Sequence, residues 1–89
     1  MREFSVEADL KDGLVKLLKK DRKTYESLMS KMEEILSCPD VNHYKNLRRP
    51  LQHLKRVHVG PFVLTFKYVE SEDKVVFYSF KHHDKIYMV

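Results

Sequence analysis

Arg56 and His58 stand two apart in the run Leu54-Lys55-Arg56-Val57-His58-Val59. In an extended strand that spacing puts both on one side, with Val57 and Val59 on the other, so the two polar side chains point into the same space. Histidine titrates near neutrality and can serve as acid or base. Arginine presents a planar fork to phosphate oxygens. A further histidine, His83, lies in the tail Phe80-Lys81-His82-His83-Asp84-Lys85-Ile86-Tyr87, where Tyr87 offers a ring on which a base could stack. Together these residue types suit one reaction. A side chain takes the proton of a ribose 2′-hydroxyl, which attacks the adjacent phosphorus in line. A second side chain protonates the leaving 5′-oxygen, and cations hold the phosphorane charge. DNA lacks the hydroxyl, so the substrate would be RNA. By residue type alone, surface histidines and a packing aromatic fit these positions too, and both readings stay open.

The charge pattern bears on the choice. Residues 1–40 hold eight Lys/Arg and nine Asp/Glu, and residues 70–89 hold three and four. Between them, residues 41–69 carry six cations (Lys45, Arg48, Arg49, Lys55, Arg56, Lys67) and no acid, together with His43, His53 and His58. The net charge of +4 is therefore concentrated in one block. Such a block fits a docking face for a polyanion, or a patch that receives an acidic protein.

Several other chemistries lack their residues. There is no Ser or Cys nucleophile in a recognisable elbow, no glycine-rich phosphate loop and no Cys/His zinc spacing. The acids avoid the basic block, which argues against a carboxylate cluster holding two magnesium ions. The site is expected to work without metal or cofactor. The single cysteine, Cys38, has no partner for an internal disulfide and reads as a half-buried residue near a helix end. With charges throughout residues 1–20 and no long apolar run, the sequence predicts a protein of the reducing cytoplasm with no secretory signal and no membrane span.

A chain of 89 residues with 43% hydrophobic and 34% charged residues predicts one globular domain over residues 1–89. Its elements must carry the candidate side chains. Arg2 to Val6 alternates as a short strand with Phe4 and Val6 on one side. Leu10, Leu14, Leu17 and Leu18 follow helical spacing; Gly13 weakens that helix by roughly 1 kcal/mol relative to alanine. After a charged break, Asp21 can cap a second helix striped with Tyr25, Leu28, Met29, Met32, Ile35 and Leu36, which Pro39 ends. A polar irregular stretch follows, with Leu47 as its anchor. The strand that bears Arg56 and His58 turns at Gly60-Pro61 into Phe62 to Val69, an apolar strand expected to be central and covered on both faces. A polar connection over Glu70 to Lys74 leads into the strand Val75 to Lys81. The fold class is α+β: β-α-α-β-β-β, a helical hairpin packed on a small, mostly antiparallel sheet.

In this order the chain resembles the RelE/ParE toxin superfamily, its archaeal RelE branch above all. The resemblance covers essentially all 89 residues. It is carried by the helical hairpin, the Leu47-Arg48-Arg49-Pro50-Leu51 lead-in, the strand Arg56-Val57-His58-Val59-Gly60, the apolar strand from Phe62, and the basic tail with its late Tyr87. It implies a RelE-like toxin of a type II toxin–antitoxin system: an endoribonuclease that cleaves ribosome-bound mRNA, inhibits translation, and is silenced by a RelB-like antitoxin. Carried over by position, Arg56 and His58 match the family's basic pair, and His83 falls where some members have a catalytic histidine. Tyr87 matches the terminal aromatic four residues later. Many members place an arginine right after the aromatic of the third strand, whereas Phe62 is followed by Val63 here. Histidine-using members lack that arginine too.

These readings assign His58, His83, Arg56 and Tyr87 to catalysis, with Lys81 sharing phosphate stabilisation with Arg56. Arg48, Arg49, Lys55, Lys81 and His82 are expected to bind RNA. The alternative from the same resemblance is a ParE-like non-nuclease acting on a protein such as DNA gyrase, or a catalytically impaired member; Val63 is the residue that favours it. A third reading is an unrelated basic module that binds nucleic acid without cutting, with strongly salt-dependent affinity.

Overall fold

The computed structural model describes residues 1–49 and 51–86, with only the backbone of Ile86. Strand β1 (Glu3–Val6) is followed by helices α1 (Ala8–Lys20) and α2 (Arg22–Ser37), then strands β2 (Lys55–Val59), β3 (Phe62–Val69) and β4 (Lys74–His82). A short helix α3 (His83–Ile86), which the sequence did not announce, ends the described chain. The expected element order and α+β class are present. The sheet order is β1-β4-β3-β2, with β2, β3 and β4 antiparallel and β1 parallel to β4.

The helical hairpin covers one face of this sheet unevenly. Helix α2 begins at Asp21, whose carboxylate accepts hydrogen bonds from the Thr24 N–H at 3.1 Å and the Thr24 hydroxyl at 2.6 Å. It buries Leu28, Met32, Ile35 and Leu36 against Leu64, Phe66, Val75 and Phe77. Helix α1 buries only Leu10; Leu14 and Leu17 are half-covered and Leu18 is exposed, so its apolar stripe is less hidden than its spacing suggests. Phe4 is likewise half-exposed, with its ring edge-on to Phe77.

Strand β3 is central and covered on both faces. Leu64 and Phe66 face the helices, while Val63 packs beneath Leu47 and Leu54, with Leu51 beside them. Leu47 is thus the anchor of the 43–50 stretch, and its N–H donates to the Leu54 carbonyl at 2.8 Å. At the turn between β2 and β3, Gly60 has φ +59, a left-handed conformation that a side chain resists. Asp73 adopts φ 48 before β4 and is held by the Arg2 guanidinium and the Tyr68 hydroxyl, each at 2.7 Å. Among the described residues, no helix is long and apolar enough to cross a membrane.

Candidate nucleic-acid interface and catalytic site

The face of the sheet turned away from the helices carries the candidate chemistry. Strand alternation puts Arg56 and His58 of β2 on it, as their spacing requires. Cross-strand register then fixes their neighbours. His58 pairs with Val63, and Val63 with Lys81; Arg56 pairs with Thr65, and Thr65 with Ser79. Two adjacent rows across three strands therefore present His58 and Lys81 in one, Arg56 and Ser79 in the other, with no acid in either. At a strand spacing of roughly 4.8 Å, the His58 and Lys81 backbones stand about 10 Å apart. The Thr65 and Ser79 hydroxyls hydrogen-bond to each other across the second row. His58 and Lys81 are exposed and Arg56 is half-buried.

A bulge in β4 makes this arrangement possible. Thr65 pairs with Ser79 but Phe66 pairs with Phe77, which leaves Tyr78 as the extra residue. Without it, Phe77 and Lys81 would fall on the same face. With it, Phe77 and Phe80 face the helices while Ser79 and Lys81 face the basic side.

His83 begins α3, two residues beyond Lys81. Its N–H donates to the Pro61 carbonyl at 3.1 Å, which holds it at the turn end of the sheet, beside the row that contains His58 and Lys81. Its Nδ1 lies 3.3 Å from Asp84 Oδ1. Arg48 and Arg49 are exposed on the loop that Leu47 pins over Val63, so they rise from the same face.

Two of the expected RNA-binding residues sit differently. Lys55 is a correction. It follows the Val57–Val59 side of β2, is only 8% exposed, and its Nζ donates to the Tyr44 carbonyl and to Asn46 Oδ1, both at 3.2 Å. Burial with two acceptors makes it a structural lysine that ties the 44–46 stretch to β2, not a free phosphate contact. His82 pairs with Phe62 and packs its ring edge-on against it, on the side where Phe62 and Phe80 stack, opposite Lys81. Tyr87 lies outside the described residues.

Val63 acquires a physical meaning here. It is fully buried under Leu47 and Leu54, in the middle of the basic face. An apolar plug fills the place between Arg56, His58 and Lys81, and the cations stand around it. Asp84, which no spacing pointed to, lies against both His82 and His83; its place directly after two histidines was the only signal.

A separate groove of about 510 Å³ runs on the helix side, between α1 and the part of β4 that β1 does not reach. Leu10, Leu14, Leu17, Phe62, Tyr78 and Phe80 line it, with Lys16 and Lys20 at the rim. Neither His58 nor His83 lines it, although Ser79 and Lys81 of β4 also border it.

The chain is 46% identical over 88 residues to a protein of Methanocaldococcus jannaschii that bears the name of a RelE toxin, RelE4; the match covers 98% of this chain and 92% of that one. The chain belongs to the RelE family of toxins. No family model matches it. Solved toxin structures share the fold. YafQ from Escherichia coli strain BL21(DE3) superimposes with a TM-score of 0.70 at 20% identity, covering 98% of this chain and 99% of that one. The toxin in the intact E. coli RelBE toxin–antitoxin complex gives 0.72 at 15% identity, covering 92% and 96%. The sequence-derived family and α+β fold class of this RelE-family chain therefore hold.

Proposed function

We propose that this RelE-family toxin is a metal-independent endoribonuclease of ribosome-bound mRNA. Its cutting surface is the sheet face opposite the helices, and the observation that carries the reading is the acid-free pair of rows bearing Arg56, His58, Ser79 and Lys81, with His83 at their end. His58 and His83 exchange the protons. One removes the 2′-hydroxyl proton as that oxygen attacks phosphorus, and the other delivers a proton to the departing 5′-oxygen. Arg56 and Lys81 flank the phosphorane and stabilise its charge, the part an arginine at position 63 would share in other members. Arg48 and Arg49 extend the cationic path for the strand, and Tyr87 stacks on a base at the cut. The products are a 2′,3′-cyclic phosphate and a free 5′-hydroxyl.

A RelB-like antitoxin is the proposed partner, since the similar E. coli toxin is solved in complex with its antitoxin. An acidic segment that folds over the basic face would withhold it from the ribosome. The proposed place of action is the cytoplasm, where translating ribosomes are.

The buried Val63 favours a second reading, a ParE-like toxin that acts on gyrase without cutting RNA. Purified translating ribosomes and a gyrase supercoiling assay separate the two. Cleaved transcript, unimpaired supercoiling and a loss of roughly 10²–10⁴-fold in cleavage for His83→Ala fit the nuclease. Intact transcript with blocked supercoiling fits the second reading. Full activity of both His58→Ala and His83→Ala would remove the histidines from the chemistry.

A further inference from the structure

The junction of β4 and α3 gathers three donor groups of the kind that hold transition metals. His82 Nδ1 lies 3.5 Å from Asp84 Oδ2, and His83 Nδ1 lies 3.3 Å from Asp84 Oδ1. One donor atom from each of His82, His83 and Asp84 comes within 4.8 Å of the other two. A tetrahedral ion with bonds of about 2.0–2.1 Å to nitrogen and oxygen needs its donors about 3.3 Å apart. The two nitrogen–oxygen separations are close to that spacing, each to a different oxygen of the Asp84 carboxylate, so a turn of the carboxylate and of the rings brings one donor from each residue around a single ion.

Neighbouring contacts prepare the ligands. The Asp84 N–H donates to His82 Nδ1 at 3.3 Å, which keeps the ring beside the carboxylate. The His82 ring is braced by Phe62 and the His83 backbone is fixed to Pro61. The His82 ring therefore has a fixed neighbour at the start of β3, and the His83 backbone a fixed place at the β2–β3 turn, before any ion binds.

We propose that His82, His83 and Asp84 form a binding site for a divalent ion of zinc, nickel or copper, and that occupation switches off the toxin. Two imidazoles and one carboxylate suit these borderline ions, whereas magnesium prefers an all-oxygen shell. Three protein ligands leave a fourth position for water. The inhibitory half rests on the proposed role of His83 in proton transfer: the lone pair of a metal-bound imidazole nitrogen is used in the bond to the ion and cannot accept a proton, and the ion would hold the ring against Asp84.

The test uses the untagged full-length chain, titrated with zinc chloride by calorimetry and with cobalt(II) by its tetrahedral d–d absorption. One equivalent should bind, and His82→Ala, His83→Ala and Asp84→Asn should each weaken binding at least about 10-fold. All three side chains are at least 43% exposed, so these variants should keep the wild-type Tm. Equal affinity in the wild type and in the triple variant, or no tetrahedral cobalt spectrum, overturns the site. In a parallel mRNA cleavage assay, zinc should inhibit, a chelator should restore activity, and Asp84→Asn should need at least about 10-fold more zinc for the same fractional inhibition. Site-specific binding without inhibition of an active toxin overturns the switch. Site-specific binding in a protein that never cleaves RNA upholds the site and instead removes the nuclease reading.

Discussion

The two faces of the sheet are built to opposite rules. On the helix side, Leu64, Phe66, Val75 and Phe77 are completely buried and meet the stripe of α2. On the other side a small plug, Leu47, Leu51 and Leu54 over Val63, covers the centre and leaves Arg56, His58 and Lys81 around it. The first face holds the fold together through area removed from water. The second keeps just enough apolar contact to seat a loop, and spends the rest of its surface on cations and a histidine. One alternating strand serves both purposes, since β2 turns Val57 and Val59 to one face and Arg56 and His58 to the other.

The largest effect is expected where the helix-side core is opened. Phe66→Ala removes a fully buried ring and should lower stability by about 3–5 kcal/mol, read by urea unfolding, with cleavage per folded molecule unchanged. A matching loss of activity in the folded fraction would show that the faces are not independent.

A finer contrast sets Lys55 against Lys81, two lysines of the same sheet. Lys55→Met should cost about 1–3 kcal/mol because it strands the Tyr44 carbonyl and Asn46 Oδ1. It should leave the salt dependence of RNA binding as it was. Lys81→Ala should do the reverse: unchanged stability, and a log–log salt slope shallower by about one. Equal slopes for the two variants would contradict the structural role assigned to Lys55.

Much of this division was legible from residue order. The period of two in 54–59 placed Arg56 and His58 together, the apolar run from Phe62 marked a strand covered on both sides, and Asp21 announced its cap. What could not be read depends on long-range pairing. Lys55 looked like any other cation of the acid-free block because its acceptors come from Tyr44 and Asn46, eleven and nine residues earlier. His82 and Lys81 looked equivalent because neighbours in a tail show no face until the strand is known to extend through His82. The bulge at Tyr78, which sets the facing of Ser79 and Lys81, leaves no mark in the sequence. The weak burial of α1 was also hidden, since helical spacing gives the direction of a stripe and not what covers it.

The smallest expected effect lies at the end of the sheet where β3 leads into β4. The Tyr68 hydroxyl and then the Arg2 guanidinium hold the Asp73 carboxyl below its usual pKa. A carboxylate depressed in the folded state adds stability above its unfolded pKa of about 4 and loses it as pH falls through the lower folded value. Asp73→Asn keeps the left-handed backbone that asparagine tolerates. Its Tm should fall slightly below wild type at pH 7, and the gap should close in acid below about pH 4. A gap that persists unchanged in acid would show that the charge contributes nothing there.

The nuclease reading turns on whether the substrate's own 2′-oxygen is the nucleophile. The most direct measurement places a single 2′-deoxynucleotide at the cut position of an mRNA on purified translating ribosomes, and maps the 3′ end produced from the all-ribose control. Attack by the 2′-hydroxyl, assisted by His58 and His83, predicts a 2′,3′-cyclic phosphate in the control and no cleavage at the deoxy position. Cleavage that continues at the deoxy position and leaves a 3′-hydroxyl would contradict it.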